Sequence, residues 1–182
     1  MAIRIRRAQP ADREHCLRLD STVLTEYAWR MEEREEAGGI TVNFQKVRLP
    51  RPVVVPYPRQ GEDLIAEWEA CDLFLVAEED KRLIGYTTAR ALPGHGICWI
   101  HDLVVDPVHR QRGIGRNLVG HVAAWALERG LRELVMEVPM RNYPATCFCR
   151  ALGFSLRGYH DRHWRTSDIA LLFGTSLRTD RR

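Results

Sequence analysis

The sequence predicts an α/β (α+β) fold around a mixed sheet, on three observations. Two apolar runs, Leu73 to Ala77 and Leu83 to Ala91, flank the polar turn Glu79-Asp80-Lys81 and read as consecutive strands. A third run, Cys98 to Val105, leads through a glycine-bearing turn into a helical pattern in which Ile114, Leu118, Val122, Trp125 and Ala126 share one face. The strand Leu134 to Val138 and the helix Pro144 to Leu152 come next. Strand, helices, three strands, helix, strand, helix and strand, in that order, describe a mixed sheet and not a doubly wound parallel one.

Each element has its own signal. Ile3 and Ile5 alternate with charged residues as a first strand does, and Pro10-Ala11-Asp12 opens a helix running to Leu19. A second helix is expected over residues 22–37, with Trp29 inward, the charged run Glu32 to Glu36 in solvent, and Gly38-Gly39 as its stop. Ile40, Val42 and Phe44 alternate next, and Pro50, Pro52, Pro56 and Pro58 suit extended edge structure. Residues 38–62 are therefore expected to form an acceptor-site flap, a dimer contact or a structural edge hairpin. Asp63 to Glu69 reads as a short helix. Pro93-Gly94-His95-Gly96 is a turn, Gly130 ends the long helix, and late strands fall near Ser155 and at Ile169 to Phe173.

A chain of 182 residues, 45% hydrophobic, is expected to form one domain over 1–182 with an ordinary core. No apolar stretch is long enough for a signal peptide or a membrane span, so a cytoplasmic location and no membrane partner are expected. Five cysteines, an odd number, point to reduced thiols. A net charge of +3 falls short of a basic face for nucleic acid, and residues 177–182, with Arg178, Arg181 and Arg182, read as a polar tail.

The most informative run is Arg110-Gln111-Arg112-Gly113-Ile114-Gly115. Its glycines let successive N–H groups point into one concavity at a helix N-terminus, where an anion is favoured. A P-loop requires a Gly-Lys-Ser/Thr ending, which is missing. A dinucleotide fingerprint requires a third glycine where Leu118 stands. The Arg-x-x-Gly-x-Gly pattern, preceded by Leu103-Val104-Val105-Asp106-Pro107, resembles the central motif of the GNAT superfamily of acetyl-CoA-dependent N-acyltransferases. About thirty residues on, Asn142-Tyr143-Pro144-Ala145-Thr146-Cys147-Phe148-Cys149-Arg150-Ala151-Leu152-Gly153-Phe154 is similar to the second family motif, with Cys149 in place of the usual tyrosine. The stretch from Gly158 to Phe173 is similar, more loosely, to tails of streptothricin acetyltransferase-like and ribosomal-protein acetyltransferase-like members.

The resemblance implies a mostly antiparallel sheet flanked by helices, its central strands splayed to admit the pantetheine arm, and acetyl-CoA as cosubstrate. It implies acetyl transfer to a primary amine of a small molecule or a peptide by direct attack in a ternary complex. The amides of Gln111, Gly113, Ile114 and Gly115 would hold the pyrophosphate, with Arg110, Arg112 and Arg116 adding charge. The backbones of Val104 and Val105, and Asn142, would hold the pantetheine. His101, which shares a strand face with Trp99, becomes the candidate base, or else a structurally satisfied histidine. Asp102 replaces it if a bulge rotates the chain, and Glu137 is a third candidate. Cys149 stands where the family's phenol protonates the departing thiolate, with Tyr143 and Tyr159 as substitutes and an acyl-thiol intermediate disfavoured. Cys147 and Cys149 with His160 and His163 lack a zinc spacing, so no metal is expected. A cationic acceptor would call for an acidic cleft, for which Glu26, Glu32, Asp63 and Glu67 are available. A homodimer is one expected assembly, and a CoA-binding sensor without turnover is the alternative function.

Overall fold

The computed structural model describes residues 2–59, 61–164 and 166–177. The strands are β1 (Arg4–Arg7), β2 (Val23–Glu36), β3 (Gly39–Val55), β4 (Leu73–Glu79), β5 (Arg82–Leu92), β6 (Ile97–Val105), β7 (Glu133–Pro139), β8 (Ser155–His160) and β9 (Ala170–Ser176). The helices are α1 (Arg13–Arg18), α2 (Glu62–Ala70), α3 (Ile114–Glu128) and α4 (Tyr143–Ala151). Seven strands form one sheet in the order β1-β4-β5-β6-β7-β9-β8, antiparallel throughout except between β6 and β7.

The continuous apolar run of β4 is explained by burial on both faces. Leu73, Leu75 and Ala77 enter the larger core with Ile114, Leu118, Val122 and Trp125 of α3, whereas Phe74 and Val76 enter a smaller one with Cys16 of α1 and Leu64 of α2. The turn to β5 places Asp80 and Lys81 at φ of 48° and 65°, the left-handed pair of a tight hairpin.

The expected helix over 22–37 is a correction: Val23–Glu36 is strand β2, paired with β3 from Val23 opposite Val55 to Glu36 opposite Gly39. Thr25 is buried between exposed Leu24 and Glu26, as in a half-buried strand, and cross-strand pairing overrides the helix propensity of the glutamates. Trp29 does point inward, as the sequence suggested. Its indole N–H donates to the Thr146 hydroxyl at 3.0 Å, and its backbone N–H donates to Met140 O at 3.2 Å, fastening the hairpin to α4 and β7. The register jumps from Thr25–Val53 to Tyr27–Arg48, so Leu49 to Pro52 bulge out where prolines lack the N–H a ladder needs.

Two features of β6 create the site. Its pairing with β7 covers only Ile97–Ile100 against Glu133–Met136, although both strands continue, so they part from His101 and Glu137 onward. On its other side, Thr88 faces Asp102 while Ala89 faces Ile100, leaving His101 as the extra residue of a bulge. The bulge exchanges the two faces of β6. Before it, Cys98 and Ile100 enter the larger core; after it, Val104 enters the smaller one while Leu103 and Val105 pack on the larger.

At the C-terminal end, Leu177 N–H donates to Arg132 O at 2.7 Å, so this residue is anchored; the remainder of the predicted tail, 178–182, lies outside the described residues. Among the described residues all five cysteines are free, and no helix is long and apolar enough to cross a membrane.

Gly85 of β5 lies opposite Val105, and a Cβ there would fall 2.7 Å from Val104 O, a backbone atom that cannot yield without moving β6. Gly85→Ala is expected to lower stability by about 1–3 kcal/mol, read as a shift in the urea midpoint at unchanged m.

Candidate active site at the strand parting

The sequence after β6 builds a concave anchor. Asp106 accepts from Val108 N–H at 3.2 Å and starts a 3₁₀ turn over Pro107–His109. Gln111 (φ 61°) and Gly113 (φ 80°) then turn the chain left-handed into α3, whose first N–H groups lie at the mouth of a cleft. Gly115 is needed for a second reason: a Cβ would meet the Phe148 ring at 3.2 Å. Arg110, Gln111, Gly113, Ile114 and Gly115 line the cleft as the sequence predicted. The other two arginines do not. Arg112 pairs with Glu79 through both nitrogens at 2.6 and 3.0 Å, and Arg116 lies 3.4 Å from Ala151 O. Arg110 donates from Nε to Val105 O at 2.8 Å, which holds the turn against the end of β6.

From this anchor the cleft, about 390 Å³, runs down between the parted strands. Leu103, Val104 and Val105 form one wall and Glu137 and Val138 the other, and the ladder that would have joined their backbones has already ended at Ile100 and Met136. Apart from Val105 O, which accepts from Arg110, and Leu103 N–H, which meets the Tyr57 hydroxyl, backbone groups that the ladder no longer pairs face the cleft. Asn142, also in the wall, accepts from Ala145 N–H at 3.0 Å and caps α4; its side-chain oxygen is committed, and its NH₂ is the group left for a ligand.

Cys149 lies in the cleft wall but is fully buried, and burial pushes its thiol up to about 12. A thiol so reluctant to ionise is neither an activated nucleophile nor an acid matched to a thiolate of ordinary basicity. The two substitute phenols are engaged elsewhere. Tyr143 packs 5.6 Å from both Tyr27 and Trp29, and Tyr159 packs on Phe44 with its hydroxyl 3.4 Å from Glu33. Cys147 is exposed whereas Cys149 is buried, so the two sulfurs leave α4 on different sides.

At the parting itself a charged cluster forms. His101 reaches the cleft, its ring stacked 6.0 Å from that of Trp99. Asp102 is fully buried beneath the wall and accepts from the Tyr57 hydroxyl at 2.8 Å, the Thr88 hydroxyl at 3.0 Å and Arg59 Nη1 at 3.1 Å. The bulge does rotate Asp102, but towards these three donors, and Asp102 is not among the residues lining the cleft. Glu137 lines the cleft with its side chain 1% exposed; it pairs with Arg59 and accepts from Trp99 Nε1 at 3.3 Å, with His163 Nε2 2.7 Å away.

Glu67 of α2, one of the suggested acidic set, joins this cluster, buried and held by Arg90 at 2.8 and 3.2 Å. Glu26 and Glu32 pair instead with Arg48 and Arg30 on the β2–β3 hairpin. Burial raises the Glu67 carboxyl above the usual range, against the pull of Arg90. His101 is driven the other way. Burial first, then the charges of Arg59 and Arg90, lower it to about 3, so the ring is neutral across the physiological range. Arg59 Nη2 lies 3.5 Å from His101 Nδ1 and can only donate, which favours the proton on Nε2.

Tyr57 and Arg59 were not singled out from the sequence. Their signal is Pro56-Tyr57-Pro58-Arg59, where two prolines restrain the backbone and the two intervening side chains, two positions apart, both reach Asp102.

The family model described as the Acetyltransferase (GNAT) family matches residues 27–154. Streptothricin acetyltransferase of Streptomyces lavendulae is 32% identical over 177 residues, covering 94% of this chain and 87% of that protein. A crystal structure of nourseothricin acetyltransferase superposes with a TM-score of 0.83 at 26% identity, covering 98% of this chain and all of that one (100%). A Bacillus anthracis structure in complex with acetyl coenzyme A shares the fold with a TM-score of 0.78 at 17% identity, over 98% of this chain and 100% of that one. The anchor, the parted strands and these similarities agree: the chain belongs to the GNAT family of acetyltransferases, enzymes that take acetyl coenzyme A as acyl donor.

Proposed function

We propose that the acceptor is a small molecule presenting a cationic primary amine, of the kind named in the relative from Streptomyces lavendulae, and that it meets the thioester where β6 and β7 part. The observation that carries this reading is that Glu137 lines the cleft at the parting, with Asp102 and Glu67 buried behind it, while the start of α3 at the other end favours an anion. A pyrophosphate suits one end and an ammonium the other.

The roles follow from placement. Amides of Gln111 through Gly115 hold the pyrophosphate, with Arg110 as the nearby charge. Val104 and Val105 offer backbone groups, and Asn142 its NH₂, to the pantetheine. Acetyl-CoA supplies an acetyl group already activated as a thioester, so orientation and proton removal are what remain for the protein. Leu103 N–H, now 3.4 Å from the Tyr57 hydroxyl, is the donor best placed to polarise a carbonyl at the bulge. Glu137 is the proton acceptor, directly or through one water, because it is the carboxylate that lines the cleft at the parting. His101 instead shapes the cleft and offers Nε2–H. The departing thiolate is a good enough leaving group to depart unprotonated and is protonated by solvent afterwards, so no role falls to the buried Cys149. The hairpin β2–β3, fastened to α4 through Trp29, adds a wall on the acceptor side.

The decisive assay is free-thiol release from acetyl-CoA over a panel of alkylamines, polyamines, peptide N-termini and streptothricin. Release is expected with the small cationic amines and not with peptides; the reverse ranking would refute the acceptor assignment. Glu137→Gln is expected to lower kcat by about 10²–10⁴-fold while acetyl-CoA binding, measured by calorimetry, holds. Cys149→Ala should stay within about threefold of wild type, and a loss comparable to that of Glu137→Gln would restore the thiol as the acid.

His101 gives a pH signature. Its folded pKa lies below the ordinary 6.5, so between 6.5 and about 3 the unfolded chain binds a proton that the fold excludes. The stability it contributes is whole above 6.5 and is lost as the pH falls towards 3. Its imidazole NMR signals are expected not to titrate between about pH 5 and 8, and His101→Asn should flatten the acid limb of the stability profile.

A further inference from the structure

Arg59 occupies an unusual place for a structural ion pair. Its guanidinium spans the gap between the parted strands, donating to His101 O at 2.7 Å and Asp102 Oδ1 at 3.1 Å on β6 and to Glu137 on β7. The side chain is 13% exposed, so it lies within the cluster and not over it. Tyr57, from the same segment, puts its hydroxyl 3.4 Å from Leu103 N–H, the donor expected to meet the thioester carbonyl. The segment thus puts the Tyr57 hydroxyl in the cleft wall and a cation directly against His101 and Glu137, which line the cleft.

The carboxylates do not depend on Arg59 for their hydrogen bonds. Asp102 retains the hydroxyls of Tyr57 and Thr88, and Glu137 retains the Trp99 indole and His163. Charge is what Arg59 supplies. Among the described residues, three buried carboxylates, Glu67, Asp102 and Glu137, face two guanidinium groups, and Arg90 is bound through two nitrogens to Glu67. Removing Arg59 with nothing in its place would leave Asp102 and Glu137 without a counter-cation in a poorly solvated site. Another cation with N–H donors could take its place at little cost. A protonated primary amine is such a cation, and His101 O, Asp102 and Glu137 offer three acceptors to its three N–H groups.

We propose that Arg59 is a built-in occupant of the ammonium subsite: its guanidinium stands where the protonated amine of the acceptor docks, and the acceptor enters by displacing it. This rests on the acetyl-transfer reading above and deepens it, since the subsite then selects amines that are cationic at neutral pH over neutral arylamines. It also keeps the resting enzyme from spending acetyl-CoA on water, because while Arg59 is in place Glu137 is engaged and an attacking water has no free carboxylate to take its proton.

The test compares acetyl-CoA hydrolysis without acceptor in wild type, Arg59→Ala and Arg59→Gln, monitored by free-thiol release, with and without millimolar guanidinium chloride as the free probe. Both variants are expected to hydrolyse acetyl-CoA about tenfold faster than wild type, and guanidinium is expected to suppress the excess saturably while leaving wild type unchanged. A merely structural ion pair predicts slower turnover that guanidinium leaves as it is. Hydrolysis at or below the wild-type rate, or faster hydrolysis insensitive to guanidinium, overturns the proposal. If neither variant folds, Arg59→Lys keeps the charge but cannot span both carboxylates, and the same two readings apply to it. Calorimetry of acetyl-CoA on wild type separates the two levels: no binding there would overturn the acetyltransferase reading, whereas binding with unaltered hydrolysis removes only the role of Arg59.

Discussion

One extra residue in β6 governs the rest of the site. Strands pair with a period of two, so a single insertion moves every later side chain to the opposite face and bends the strand carrying it. Here the insertion is His101, and its consequences are those a cleft-forming enzyme requires. Val104 crosses to the small core, Asp102 turns to Tyr57 and Thr88, and β6 leaves β7 after four paired positions, Ile97 to Ile100. The cost of the opening falls on the backbone groups left unpaired, and it is tolerable because they face a cleft that a chain-like ligand can enter.

The acidic cluster is not there for stability. Buried ion pairs lose most of their Coulombic gain to desolvation, so apolar side chains of similar volume would hold α2, β6 and β7 together at least as well. Glu67, Asp102 and Glu137 instead create a small region of negative potential with low solvent access, and Arg59 and Arg90 keep it from being prohibitively charged. His101 is neutral in spite of that field, because burial first, and then the charges of Arg59 and Arg90, disfavour its protonated form.

The sheet and the anchor were legible because their signals are local. Strands β4 and β5 announce themselves as apolar runs about a polar turn, α3 by its repeating face, and the anchor by glycines at set spacing. Residues 22–37 misled because Glu32, Glu33, Glu35 and Glu36 favour helix, while the partner that makes them strand, Gly39 to Val55, is recognisable only once the two are paired. Of the residues proposed for the cofactor, Val104, Val105, Arg110, Gln111, Gly113, Ile114, Gly115 and Asn142 line the cleft. Arg112 and Arg116 do not, since a loop arginine can turn to either side and Glu79 settles it for Arg112. Tyr57 and Arg59 went unseen because they reach β6 and β7 from distant positions in the chain, through contacts that no periodicity reports.

The parting also leaves the sheet with two strand edges in its interior, facing each other. An open edge of sequence Leu103-Val104-Val105, apolar and with two β-branched residues, would ordinarily be a template for adding strands from other chains. The edge is guarded here by its position: it is recessed between Glu137 and Val138 on one side and Phe148 and Cys149 on another, within a cleft of about 390 Å³. Mutations that widen this cleft would therefore threaten solubility before they threatened folding, and saturating cosubstrate would protect against that loss by closing the edge.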